Sequence, residues 1–157
     1  TISKDRTQVA IYKDIAIVGK FKEKIGRNAG QGAAYIYERN HGGANNWGQV
    51  KELTASDGAA YDEFGSTVAI YADLAIVSAK GSNKTDKDGK FGRGGAYIFE
   101  QNKGGDNKWG EVRKLTSPVD IHVDSFGTSV AIYGDTAIVG TEAKNAAYIF
   151  SPKTTGR

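Results

Sequence analysis

His41, in "RNHGGANN", and His122, in "DIHVD", are the only imidazoles in the chain. A catalytic triad needs a nucleophile, a base and an orienting acid. Neither histidine lies near a recognisable nucleophile motif, and two histidines without further ligands do not make a zinc site. Cysteine is absent, which removes thiol catalysis, disulfides and Cys-based metal sites. Carboxylates pair at Asp62-Glu63, and Asp120 and Asp124 lie close in sequence. Two carboxyls facing across a cleft would suit glycoside hydrolysis. The glycine clusters at Gly30–Gly32 and Gly92–Gly95 precede strand-like segments. They lack the helix start that a phosphate cradle needs. Trp47 and Trp109 could stack on sugar rings, or pack between neighbouring sheets.

Most of these residues recur, and recurrence is what positions them. "VAIYKDIAIV" at Val9–Val18 returns as "VAIYADLAIV" at Val68–Val77 and "VAIYGDTAIV" at Val130–Val139. "AAYIYERNHGGANNWGQVKELTASDG" at Ala33–Gly58 matches "GAYIFEQNKGGDNKWGEVRKLTSPVD" at Gly95–Asp120, and "AAYIF" opens a third copy at Ala146. A period of about 60 residues marks a repeat architecture in which each unit is one supersecondary module. The acidic pairs occupy equivalent links in successive units, so the repeat accounts for them. The histidines do not recur.

Each unit reads as β-structure. The runs Val9–Tyr12 and Ile15–Val18 are β-branched and joined by Lys13-Asp14; Ala72-Asp73 and Gly134-Asp135 are the equivalent links. Two-residue links signal tight hairpins. Lys13 fits a primed turn less well than Gly134, because lysine disfavours positive φ. Third strands are expected at Ala33–Glu38, Gly95–Gln101 and Ala146–Ser151, and fourth strands at Trp47–Thr54 and Trp109–Thr116. No segment has a helical period. Val9 and Ile11 point one way and Ala10 and Tyr12 the other, so the first strands are apolar on both faces, as expected between adjacent sheets. Four short strands with both faces covered form a β-propeller blade. The expected fold is all-β, with four-stranded antiparallel blades, about three per chain. Residues 1–157 then form a single domain with units about 1–58, 59–120 and 121–157, the last lacking its fourth strand.

The segments "DEFGSTVAIYADLAIVSAK" and "DSFGTSVAIYGDTAIVGTE" resemble the FG-GAP repeat, the blade module of integrin α-subunit propellers and of bacterial secreted or surface proteins. Phe64-Gly65 and Phe126-Gly127 are its FG halves, and the bacterial type is the nearer one. The first unit has Asp5-Arg6 in the FG place. The resemblance implies a secreted or cell-surface bacterial protein that binds other molecules; no signal peptide is visible in the chain. Integrin-type repeats carry an Asp-rich calcium loop in the first hairpin. Here that hairpin has two linking residues, too few to wrap an ion with six to eight oxygens. The echo "KTDKDG" at Lys84–Gly89 has Lys84 where the first acidic ligand belongs. No cofactor and no metal are expected.

In a four-stranded meander the links after the second and fourth strands emerge on one side. The links after the second strands are long and basic. They carry Lys22, Lys24 and Arg27, then Lys84, Lys87, Lys90 and Arg93. The links after the fourth strands are acidic: Asp57, Asp62, Glu63, Asp120 and Asp124. Long loops on a rigid scaffold are where ligands dock, so the seven basic residues form the candidate ligand face. Phe64, Gly65, Phe126, Gly127, Trp47 and Trp109 are assigned to the repeat framework. The net charge of +3, from 21 basic and 18 acidic residues, does not mark a nucleic-acid binder. No run of about 18 apolar residues offers a membrane span.

The favoured function is a non-enzymatic module for protein recognition or adhesion. A lectin-like carbohydrate binder is the alternative, and a propeller hydrolase ranks third. Three blades do not close a ring of four to eight, so a homodimer closing a six-bladed ring is expected. Calcium tests the loop reading. Thermal melts in excess chelator and in millimolar calcium should superimpose, whereas a ligand of the native state would raise the melting point.

Overall fold

The computed structural model describes residues 7–81, 94–105, 108–119, 125–142 and 145–151. The strands run β1 (Gln8–Tyr12), β2 (Ile15–Lys20), β3 (Ala33–Arg39), β4 (Trp47–Leu53), β5 (Phe64–Tyr71), β6 (Leu74–Ala79), β7 (Gly95–Glu100), β8 (Gly110–Leu115), β9 (Ser129–Tyr133), β10 (Thr136–Thr141) and β11 (Ala146–Phe150). They form three antiparallel sheets: β1-β2-β3-β4, β5-β6-β7-β8 and β9-β10-β11. No helix occurs among the described residues. The fold is all-β and built of propeller-type blades, and the third sheet has three strands among the described residues.

Each inner hairpin turns on two residues, of which only the first has positive φ: Lys13 at 50°, Ala72 at 52° and Gly134 at 57°. That is the pattern of a type II′ turn, which matches the right-handed twist of the flanking strands. The geometry is fixed by the pairing of Tyr12 with Ile15, Tyr71 with Leu74 and Tyr133 with Thr136. Lysine and alanine therefore adopt a conformation that glycine adopts freely.

The sheets stack through their inner strands, with β1 against β5 and β5 against β9. The first joint buries Ile17, Ala34, Ile36 and Leu53 of one sheet against Phe64, Val77, Tyr97, Phe99 and Trp109 of the next. The second buries Leu74, Ile76, Ile98 and Leu115 against Phe126, Ala137 and Val139. Every residue of β6 is buried, as expected of a strand covered on both faces. The equivalent expectation fails for β1, where Val9 is 70% and Ile11 65% exposed, because no sheet covers that side.

The FG pair makes the joint. Phe64 is fully buried, with ring centroids 5.5 Å from Tyr97 and 6.0 Å from Phe99. Phe126 repeats this against Tyr148 and Phe150 at 6.1 and 6.0 Å. The backbone N–H of Phe64 donates to Gln31 O at 2.8 Å, and parallel bridges tie Gly32 to Phe64 and Gly94 to Phe126. Gly65 follows at φ 91°, so close to the first sheet that a Cβ there would lie 2.5 Å from Ala33 O. Only glycine combines that φ with that approach.

Opposite effects follow for two small substitutions. Phe64→Ala should cost about 3–5 kcal/mol through a cavity at the joint. Ala72→Gly should stabilise by about 0.5 kcal/mol, since relief of the left-handed conformation exceeds the added chain entropy. Denaturant unfolding at constant m-value measures both.

Candidate functional site

β1, β5 and β9 are the edge strands that face one another, so they line the axis about which the sheets are arranged. At the end where these strands begin, a cavity of about 350 Å³ is lined by Gln8, Phe21, Ser66, Thr67, Lys80 and Thr128. The lining comes from all three units. Gln8 opens β1, Ser66 and Thr67 lie in β5, and Thr128 precedes β9. Phe21 and Lys80 follow β2 and β6, and both are half-buried.

A buried serine organises the hydroxyls. Ser78, with no exposed surface, places its Oγ 3.0 Å from Ser66 Oγ and 2.7 Å from Thr67 Oγ1, and accepts from Thr67 N–H at 3.0 Å. Thr67 Oγ1 also donates to Gly127 O of the next unit at 3.3 Å. Lys80 N–H donates to Ser66 Oγ at 3.3 Å, while its ammonium lies 3.6 Å from Glu63. Fixed hydroxyls, a side-chain amide, one ammonium and an aromatic plate can bind a carboxylate or a polyol. The signal in the sequence is the pair of hydroxyl residues after each FG, "FGST" and "FGTS". From the sequence only the FG pair is singled out, and not these hydroxyls.

The basic residues chosen from the sequence distribute differently. Lys84, Lys87, Lys90 and Arg93 lie outside the described residues. Lys22, Lys24 and Arg27 are exposed on the 21–32 loop, at the same end of the sheets as the cavity but outside its lining. This loop is tightly organised. Ile25 and Asn28 exchange backbone hydrogen bonds, Gly32 N–H donates to Glu23 O, and Arg27 sits at the tip between Ile25 and Asn28. The next link runs alongside it, with Tyr61 and Glu63 N–H groups donating to Ala29 and Gly30 O.

The acidic links are held in contacts within the fold. Asp57 accepts from Tyr97 OH at 2.8 Å and from Lys114 Nζ at 2.5 Å. Partial burial would raise its pKa, but the hydrogen bonds from Lys114 and Tyr97 outweigh it and hold the carboxyl below the usual range. Burial and the carboxylate it faces push the Tyr97 hydroxyl well up. Asp62 caps its own turn by accepting from Ala59 N–H at 2.7 Å, and burial raises its pKa. Asp120, Asp124 and His122 lie outside the described residues, and His41 is exposed in the turn after β3. Among the described residues no three His, Asp or Glu side chains converge as a metal site.

The two tryptophans have different surroundings. Trp109 is 2% exposed inside the first joint, whereas Trp47, at the same place in the repeat, is 39% exposed. The reason is that the second sheet is covered by the first, while the matching side of the first sheet is open. Arg39 places its guanidinium 5.5 Å from the Trp47 ring. A lectin built on both indoles is therefore not available, because Trp109 has no surface to offer.

The family model for the FG-GAP repeat matches residues 47–99 and 109–150, together more than half of the chain. The chain belongs to the FG-GAP repeat family. No curated protein matched the chain in comparison. Each matched FG-GAP segment starts at the outer strand of one sheet and ends in the third strand of the next, so the sequence unit bridges a joint. The FG pair sits inside that unit, at the crossing. This is why the motif carries phenylalanine for the joint and glycine for the close approach.

The tryptophan environments give a direct readout. Iodide should quench a part of the fluorescence, and Trp47→Phe should remove that part and leave a shielded emission from Trp109. Equal quenching of both single-tryptophan variants would contradict the buried position of Trp109.

Proposed function

We propose that this FG-GAP chain is a non-enzymatic binding module for protein recognition or adhesion, acting in an extracellular setting and engaging a carboxylate-bearing segment of its partner. The observation that carries the reading is the cavity lined jointly by three units, with Lys80 beside the fixed hydroxyls of Ser66 and Thr67. Lys20, Lys22, Lys24 and Arg27 emerge at the same end as the cavity, and in the sequence Lys84, Lys87, Lys90 and Arg93, outside the described residues, occupy the equivalent link of the second unit. Such a field steers an acidic partner and weakens with salt. Family membership supports a binding role, since FG-GAP modules are commonly used for protein binding. Among the described residues no helix is long and apolar enough to cross a membrane.

A lectin-like propeller is the second reading, favoured by Phe21 lying beside three hydroxyls in the cavity. A fluorescent glutamate-rich peptide and a panel of neutral oligosaccharides separate the two. The peptide should bind more weakly as salt rises. Lys80→Ser, and the combined replacement of Lys84, Lys87, Lys90 and Arg93 by Ser, should each weaken it while stability changes by within about 0.5 kcal/mol. Oligosaccharide binding that is indifferent to salt and lost in Phe21→Ala would replace the acidic-partner reading with the lectin.

A further inference from the structure

At the opposite end of the axis the inner strands finish in a row of tyrosines. Each unit closes its first strand on the same letters, "VAIY", just before the two-residue turn, so Tyr12, Tyr71 and Tyr133 hold equivalent places in β1, β5 and β9. These strands face one another around the axis, and their rings meet. Tyr12 and Tyr71 have centroids 4.9 Å apart with planes inclined at 53°, and Tyr71 and Tyr133 are 4.5 Å apart at 52°. The second distance is at the short limit for aromatic pairs, so the ring edges are in contact. Tyr71 has a tyrosine on either side and is still partly exposed, because the row runs along the mouth of the axis and not inside a joint. Its accessibility does not depend on an open sheet face.

We infer that this row is an oxidative cross-linking site, where a one-electron oxidant joins Tyr71 to Tyr133 by a carbon–carbon bond and staples the second sheet to the third. Each phenol gives up one electron and one proton to become a phenoxyl radical. The two radicals couple at the carbons ortho to oxygen, and the hydrogens on those carbons return to the oxygens. The product is a biphenol lighter by two hydrogens. A haem peroxidase with hydrogen peroxide balances the step: one peroxide takes up both electrons and both protons and leaves as two waters.

Composition directs an oxidant to this place. Cysteine and methionine, the sulfur side chains that ordinarily take up oxidant, are both absent. Trp109 and Tyr97 are 2% exposed within the first joint. The ring neighbours of Tyr97 and Tyr148 include Phe64 and Phe126, which carry no phenol to couple with. A hydrogen bond with Tyr133 and the charge of the neighbouring phenols hold the Tyr71 hydroxyl above its usual pKa. Tyr71 is therefore neutral near pH 7 and releases its proton as it loses the electron. No disulfide can secure these joints in a chain without cysteine. A Tyr71–Tyr133 bond closes a loop of about 60 residues and restricts the unfolded chain as a disulfide would.

The folded chain, at low micromolar concentration, is treated with a haem peroxidase and hydrogen peroxide. A single-chain product lighter by two hydrogens should form, with the blue fluorescence of dityrosine and a raised melting temperature. Proteolysis should release joined peptides that chiefly pair Tyr71 with Tyr133. Tyr71→Phe removes one partly exposed hydroxyl, so the variant folds, and it should lose both the fluorescence and the rise in melting temperature. Tyr133→Phe should shift the bond to Tyr12–Tyr71, and Tyr61→Phe, at an exposed tyrosine elsewhere, should change nothing. An oxidised chain without dityrosine, dityrosine only between separate chains, or dityrosine that persists in Tyr71→Phe would each overturn the inference. So would a main product in the unaltered chain that pairs any other two tyrosines.

Discussion

The joint between neighbouring sheets is the contact on which the rest of this molecule depends. A blade of four short strands has two apolar faces and cannot bury both by itself. The chain solves this at a single crossing. Phe64 fills the space between the sheets, and Gly65 lets the incoming strand pass against the backbone of the sheet behind it. A side chain larger than hydrogen at Gly65 would meet Ala33 O, so the sheets could not approach closely enough for Ile17, Ile36, Val77 and Tyr97 to interdigitate. Interiors packed at crystal-like density tolerate such displacement poorly. Phe126 and Gly127 repeat the solution one joint later.

The same crossing builds the candidate site. The chain emerges from Phe64-Gly65 directly into Ser66 and Thr67, whose hydroxyls meet Ser78 on the neighbouring strand of their own sheet. Thr67 then reaches Gly127 of the next unit. A hydroxyl cluster fixed by a buried serine is pre-ordered, which lowers the entropy lost when a ligand binds. The loops around it are similarly ordered by backbone hydrogen bonds between the 21–32 loop and the following link. A repeated scaffold step thus delivers polar groups to one end of the axis, while the hairpin ends deliver the tyrosine row to the other.

Charged side chains are used in two distinct ways. Asp57 is spent on the joint, where it meets Tyr97 and Lys114 of the following sheet. Its repeat equivalent is Val119, and Tyr148 at the next joint is only half-buried. The two joints therefore share an apolar plan but differ in polar reinforcement. Lys22, Lys24 and Arg27 are instead turned outward, where their charge acts at range. Glu63 stands between these uses, its carboxylate near Lys80 at the cavity edge.

The sequence by itself determined the strands, the tight hairpins, the three repeated sheets and the place of the FG pair in the repeat framework. These follow from local patterns: β-branched runs, two-residue links and a period that places equivalent residues at equivalent points. It also fixed the end of the sheets from which the loop of Lys22, Lys24 and Arg27 emerges, because meander connectivity sets where each link leaves the sheet. Only the tertiary structure decided that Trp109 is buried and Trp47 open, or that Ile149 is exposed while Ile36 is sealed. Repeat-equivalent residues have the same local preferences, and their burial depends on whether another sheet lies against them. The cavity was illegible for a related reason. Gln8, Thr67 and Thr128 are separated by about a full repeat each, and only the rotation of one sheet upon the next brings them around one axis.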